Sequence, residues 1–247
     1  MNGTRTTKRQ SLLSVSVDAE KAGRTLPFLS TGPAKIEFKT PLTLLVGENG
    51  CGKTTLLEAI AVRCGIRPGG GASYEQTEDE RPGTAISDAT SVRWSFMPIP
   101  GTFLRADRIA DSRDESARTR KRLRMAVTGE WRALDEQSRG ESMLSTLAAE
   151  VDASEAKLYL LDEPEAALSP ERQMLLFRLL DALIRDGRSQ AIVATHSPML
   201  MAHPEAAILW MDENGIKPRK LSSVPHWNLS ARLFGDTDRF ITRLLAE

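Results

Sequence analysis

The run Gly47-Glu48-Asn49-Gly50-Cys51-Gly52-Lys53-Thr54 fits the pattern G-x-x-x-x-G-K-[ST], with Thr55 directly after it. Those residue types at that spacing suit one chemistry, the holding of a triphosphate. Glycines carry no Cβ, so backbone N–H groups can turn inward and approach phosphate oxygens closely. A helix opening at the end of the loop adds the partial positive charge of its N-terminus. Lys53 is then placed to reach β- and γ-phosphates, and the Thr54 hydroxyl to ligate Mg²⁺. A second group of residues lies more than a hundred positions further on. Leu158-Tyr159-Leu160-Leu161 runs into Asp162-Glu163-Pro164, and Ala194-Thr195 into His196-Ser197. Asp162 is a candidate Mg²⁺ ligand, Glu163 a candidate general base for an attacking water, and His196 a candidate γ-phosphate contact. Ser138-Arg139-Gly140-Glu141 could form a further anion site if a helix opens there.

These side chains are useful only if particular elements carry them. Leu42-Thr43-Leu44-Leu45-Val46 reads as a buried strand leading into the glycine loop, and 54–62 as the helix after it. Leu158–Leu161 and Gln190–Thr195 read as two more buried strands, so that Asp162, Glu163 and His196 fall at strand C-terminal ends. In an open α/β sheet that edge faces the ligand crevice. Ser169 and Pro170 can start a helix that Gly187 ends, and Asn214-Gly215 marks a hairpin turn after Ala207–Met211. Short alternating segments in 11–46, such as Ala34–Phe38, predict a small flanking sheet. Val92–Phe96 alternates like an edge strand. Residues 67–91 are polar and glycine-rich and read as a loop or insertion. Residues 108–150 are charged and helix-prone, with Arg118, Arg120, Lys121, Arg122 and Arg124 clustered.

The 247 residues suffice for one large α/β domain. Hydrophobic content of 40% and charged content of 27% exclude a disordered chain. Lys+Arg and Asp+Glu are equal at 33 each, which removes the simplest argument for a dedicated nucleic-acid binder but leaves room for a local basic patch. No stretch is long and apolar enough for direct membrane insertion, and the N-terminal residues do not form a secretory core. Cys51 and Cys64 make no zinc pattern, and a disulfide at Cys51 would obstruct the phosphate loop, so a reducing cytoplasm is expected. No repeat or long heptad run is present.

Taken together, these segments resemble the ATP-binding-cassette class of P-loop ATPases. Gly47–Thr54 looks like Walker A, Leu158–Glu163 like Walker B, Ser138–Glu141 like a divergent signature motif, Ala166–Pro170 like the D-loop, and His196 like the switch histidine. Gly47-Glu48-Asn49-Gly50, Asp162-Glu163-Pro164-Glu165 and Thr195-His196-Ser197-Pro198 are similar to the soluble, AAA-type, ABC-like group, which includes small bacterial ATPases with little beyond the cassette. The resemblance implies an α/β fold: a P-loop NTPase with an ABC-ATPase-like core, a flanking antiparallel β-subdomain and a small helical lobe. It implies a single domain over 1–247, with the nucleotide-binding core at 34–66 and 155–215, an insertion and helical lobe at about 67–150, and a C-terminal segment at 216–247. It further implies Mg²⁺-dependent ATP hydrolysis, with Lys53, Glu163 and His196 catalytic. Gly47, Glu48, Asn49, Gly50, Cys51, Gly52, Lys53, Thr54, Thr55, Ser138, Gly140 and Glu141 would contact nucleotide, and Thr54 and Asp162 the metal. Such cassettes pair head to tail through ATP, so Ser138 and Gly140 would serve the other copy of a homodimer, and closure would control a partner or process, a protein partner being one option and nucleic acid left open.

The chain departs from the pattern in three places. No Q-loop glutamine is evident; Arg105 or Asp107 stands in that region. Arg139 sits where the signature commonly has glycine. Phe28 is the candidate for stacking on adenine. The altered Q-loop region motivates the alternative of an ATP-sensing module with weak hydrolysis, and resemblance to soluble ABC-like ATPases that act on DNA implies a second, a DNA-repair or defence-associated ATPase subunit.

Overall fold

The computed structural model describes residues 11–23, 26–66, 84–96, 98–105, 144–148, 156–166, 168–185 and 187–246. Among the described residues, nine strands form two sheets. The larger has the order β5-β6-β7-β3-β8-β9, made of Gly101–Arg105, Leu158–Asp162, Gln190–Ala194, Leu42–Gly47, Ala206–Asp212 and Gly215–Arg219. Its first five strands are parallel and β9 is antiparallel to β8. The smaller sheet is antiparallel, with β1 (Leu12–Val17) between β2 (Ala34–Glu37) and β4 (Thr90–Trp94).

Parallel strands covered on both faces need apolar side chains on both, which is why β3, β6 and β7 read as unbroken hydrophobic runs. Alternation sends each residue to one of two cores. Leu45, Leu158, Leu160, Ile192, Ala194, Leu209 and Met211 face helix α1 (Lys53–Arg63) and the small sheet. Leu42, Leu44, Val46, Tyr159, Leu161, Ala191, Val193, Ile208 and Trp210 face the opposite way, onto α3 (Pro170–Arg185) and the stretch 144–148. Helix α3 starts at Pro170, and Gly187 follows it in a left-handed conformation (φ 71°), as the sequence predicts. The β8–β9 turn also matches expectation: Gly215 adopts φ 101°, and the Asp212 carboxylate accepts from Asn214 N at 2.8 Å.

Two expectations shift. The edge strand starts at Thr90 rather than Val92. The polar stretch 67–91 is not loop throughout, because its last part forms helix α2 (Thr84–Ala89). Two apolar residues there, Ile86 and Ala89, are buried in the core that α1 shares. Residues 67–83 lie outside the described residues, as do Arg118, Arg120, Lys121, Arg122 and Arg124.

One side chain pins the small sheet to the large one. Gln190, at the start of β7, accepts from Leu12 N at 3.0 Å and donates to Leu12 O at 3.1 Å, so its amide acts as a one-residue strand partner for β1. Both residues are buried. Gln190→Ala leaves a buried N–H and a buried C=O unpaired, at about 1–3 kcal/mol each, so unfolding stability is expected to fall by about 2–6 kcal/mol. Urea denaturation of the two proteins measures this directly.

Candidate functional site

Strand register assembles the site. Leu45 of β3 pairs with Ala194 of β7, and Ala194 pairs with Asp162 of β6. The three residues therefore lie on one level across three neighbouring strands, at the sheet's C-terminal edge. Whatever follows each of them opens into the same crevice.

From β3 comes the phosphate loop. Gly47 cannot be any other residue, since a Cβ there would sit 2.3 Å from Met211 O on β8. Gly50 and Gly52 have φ of 78° and 100°, in the left-handed region that favours glycine, and they turn the loop's backbone before α1 begins at Lys53. Lys53 is buried, and its Nζ donates to Gly47 O at 2.9 Å and Glu48 O at 3.0 Å. The ammonium is thus held in the loop by carbonyl acceptors. Cys51 Sγ is 4.0 Å from that ammonium, and burial, the largest influence, pushes the Cys51 thiol up. Cys51 and Cys64 are both free thiols.

From β6 come Asp162 and Glu163. Asp162 Oδ1 accepts from Thr54 Oγ1 at 3.1 Å, across 108 residues of sequence. Burial pushes the Asp162 carboxyl up to about 6, against the opposing influence of the Thr54 donor and the Arg105 guanidinium. Glu163 has φ 46°, the one described non-glycine residue in the left-handed region, and its N–H donates to Ala194 O at 2.9 Å. This turn ends the strand and leaves the Glu163 side chain half exposed, with Oε1 3.6 Å from His196 Nε2. Backbone strain at a carboxylate beside a phosphate loop fits a residue held for function. Burial, followed by the Lys53 charge, holds the His196 imidazole below its ordinary value.

The His196 segment is anchored by a residue to which the sequence assigned no role. Glu165 is buried, and its Oε1 accepts from Thr195 Oγ1 at 2.6 Å, His196 N at 2.7 Å and Ser197 N at 3.1 Å. The hydroxyl of Ser197 donates to Gln173 on α3 at 2.7 Å and accepts from Leu200 N, capping the short helix α4 (Pro198–Met201). The Asp162-Glu163-Pro164-Glu165 run therefore grips the turn after β7 as well as supplying the crevice carboxylates.

Arg105, paired in register with Asp162, donates to Glu58 of α1 at 2.8 Å and brings Nε to 3.5 Å from Asp162 Oδ2. A guanidinium has donors only, so Arg105 cannot supply the oxygen ligand that a Q-loop glutamine would. The Phe28 expectation is corrected. Phe28 is buried, and a Cβ on Gly52 would lie 2.9 Å from its ring, so the ring packs beneath the phosphate loop and offers no face to a base. Helix α5 (Pro225–Gly235), beyond any motif, brings His226 to the site, with Nε2 3.3 Å from Glu48 Oε1. Ser138, Gly140, Glu141 and Asp107 lie outside the described residues.

A hard divalent cation fits this donor set. The Thr54 hydroxyl and Asp162 carboxylate are oxygen donors already in contact. That suits Mg²⁺, which takes one or two protein oxygens and completes its shell with phosphate and water.

Comparison with known proteins follows the same lines. A family model described as "AAA domain, putative AbiEii toxin, Type IV TA system" matches residues 85–202. The chain is 26% identical over 203 residues to the aliphatic sulfonates import ATP-binding protein SsuB 2 of Rhodococcus jostii, covering 81% of this chain and 79% of that protein. It is 28% identical over 176 residues to the ribose import ATP-binding protein RbsA 2 of Burkholderia ambifaria, covering 64% of this chain but 34% of that protein, so it spans only about a third of that relative's length. In structure it is similar to "An inward-facing conformation of a putative metal-chelate type ABC transporter", with TM-score 0.50, 16% identity, and 90% and 89% of the two chains covered. It is similar to the SMC head domain from Thermotoga maritima at the same TM-score of 0.50 and identity of 16%, over 85% of this chain and 100% of that one. At that identity the shared property is the fold.

Folding raises the Asp162 pKa from 3.8 to about 6, so the folded state binds this proton more tightly than the unfolded state does. Metal-free protein therefore loses stability as pH rises between those values. In chelator, Asp162→Asn is expected to be more stable than wild type by about 3 kcal/mol at pH ~7, with the difference gone below pH ~4. Urea unfolding at the two pH values reads both arms.

Proposed function

We propose, from the premise that this chain is an ABC-like P-loop ATPase, that it is a cytoplasmic ATP-driven switch: two copies close head to tail on ATP with Mg²⁺, hydrolysis reopens them, and the cycle controls a protein partner. The observation that carries the reading is the 3.1 Å contact between Thr54 Oγ1 and Asp162 Oδ1, which joins the phosphate loop to a second carboxylate-bearing strand end. Glycine-rich turns are common; one that meets a buried acid, with Glu163 and His196 beside it, has the parts for phosphoryl transfer to water.

In this mechanism the triphosphate enters along the 47–54 loop, and its backbone N–H groups hold the phosphates. Lys53 exchanges the carbonyls of Gly47 and Glu48 for phosphate oxygens, a trade from neutral to charged acceptors that strengthens each bond. Thr54 and Asp162 would hold Mg²⁺, which supplies charge neutralisation between the β- and γ-phosphates when bound. Glu163 polarises a water for in-line attack, and its exposed carboxylate can pass the proton to solvent. His196, tethered through its backbone to Glu165, hydrogen-bonds the γ-phosphate. Ser138, Gly140 and Glu141 of one copy serve the nucleotide of the other, so the complete site exists only on closure. Residues 1–247 act as one cassette in this scheme. Among the described residues, no helix is long and apolar enough to cross a membrane.

A nucleotide sensor that turns over slowly is the second reading, and Arg105 favours it. A guanidinium beside Asp162 adds positive charge where Mg²⁺ would sit, and it offers that ion no ligand.

Lys53→Ala is expected to lose ATP binding by calorimetry, since the charge and its phosphate contacts go together. Glu163→Gln is expected to keep binding while single-turnover hydrolysis falls at least ~100-fold, and to run as a dimer only with ATP present. Normal hydrolysis by the Glu163→Gln protein removes Glu163 from the mechanism. A wild-type rate already at the mutant's level favours the sensor.

A further inference from the structure

Helix α5 is held to the body almost entirely by its first turn. Val224, just before it, is buried, and Trp227 packs against the same core, whereas no residue within the helix is fully buried. Between those two anchors sits His226, whose imidazole turns toward the phosphate loop. Its Nε2 is 3.3 Å from Glu48 Oε1. One neighbour is the His196 ring, with centroids 5.4 Å apart and planes tilted by 58°. Another is Trp210 of β8, at 5.5 Å and 52°. Trp210 is itself fixed, since its Nε1 donates to Asp212 at 2.9 Å and the Arg219 guanidinium lies over its ring at 4.7 Å. A chain of tilted ring contacts thus runs from the β8–β9 hairpin through Trp210 and His226 to His196, whose Nε2 lies 3.6 Å from Glu163.

We propose that His226 is a positioning residue of the nucleotide site: its ring backs the His196 imidazole, so that a helix outside every phosphate-binding motif sets where the γ-phosphate contact stands. Among the described residues, His226 Nδ1 is buried without a hydrogen-bond partner. A histidine kept only for structure would ordinarily have that nitrogen satisfied. What the imidazole does engage is Glu48, through Nε2, and the His196 ring, in a tilted contact. The His196 backbone is tied down by Glu165, while its ring is approached by Glu163 and by the His226 ring. Removing the His226 ring opens one side, while the loop amides and Lys53 that grip the phosphates stay as they are. The cost therefore falls on the chemical step rather than on uptake of ATP.

This inference rests on the ATPase reading above, and the test separates the two. Steady-state ATP hydrolysis and calorimetric ATP binding are measured on the full chain as wild type, His226→Ala and His226→Phe. The expected result for His226→Ala is a kcat about tenfold lower with KM and ATP affinity changed less than about threefold, and for His226→Phe, which keeps a flat ring against His196, recovery of most of that rate. An alanine variant with kcat within twofold of wild type overturns the inference. So does a loss shared equally by kcat and affinity, or one that the phenylalanine does not repair. Wild-type protein that takes up no ATP fails the ATPase reading itself, and the inference falls with it. Wild-type turnover beside an unimpaired alanine variant sinks the inference alone.

Discussion

Parallel pairing of β3, β7 and β6 is the constraint on which the rest of this molecule depends. The pairs Leu45–Ala194 and Ala194–Asp162 hold three strand ends level. Side chains on a strand alternate faces, so a slip of one residue in either pairing would turn Asp162 away from Thr54 and send every apolar neighbour to the wrong core. The register is secured by that same burial. Each of the three strands is covered on both faces, and the alternation between the two cores leaves no apolar-neutral alternative pairing. Packing far from the crevice thereby sets distances of a few ångström within it.

Around that frame the buried charges are arranged so that each has a partner. Lys53 lies among carbonyls, Asp162 between a hydroxyl and a guanidinium, and Glu165 Oε1 under three donors. Two of these carboxyls are nevertheless pushed up by burial. The Glu165 arrangement is structural, since it braces the turn after β7. The Lys53 and Asp162 arrangements hold groups that a triphosphate and a cation would satisfy better than the protein does. Both groups stand at the C-terminal edge of a parallel sheet, where ligands of open α/β folds ordinarily bind. The α5 contact adds a route by which the C-terminal segment touches this edge without contributing to the phosphate cradle.

Local order was readable in the residues themselves. The loop glycines, the apolar runs of β3, β6 and β7, the Pro170 start and Gly187 end of α3, and the Asn214-Gly215 turn each carry a short-range physical signal, and each element formed where that signal lay. The positions of Lys53, Thr54, Asp162, Glu163 and His196 at the crevice edge follow from those elements together with the rule that ligands sit at strand C-terminal ends. The helix at 84–89 was less readable, because two buried apolar residues, Ile86 and Ala89, outweighed a polar, glycine-rich surrounding only once α1 was there to pack on.

What chain composition and spacing determined alone was therefore the kind of chemistry and the strand ends that carry it. Four things awaited the assembled molecule: Phe28 beneath Gly52, Gln190 clasping Leu12, Glu165 bracing His196, and His226 against Glu48 and His196. In each, the partners are brought together from separate elements by packing, and no periodicity or turn preference in one segment encodes what another segment will press against it. Short-range patterns specify elements; only burial of both sheet faces at once decides which side chains from different elements meet.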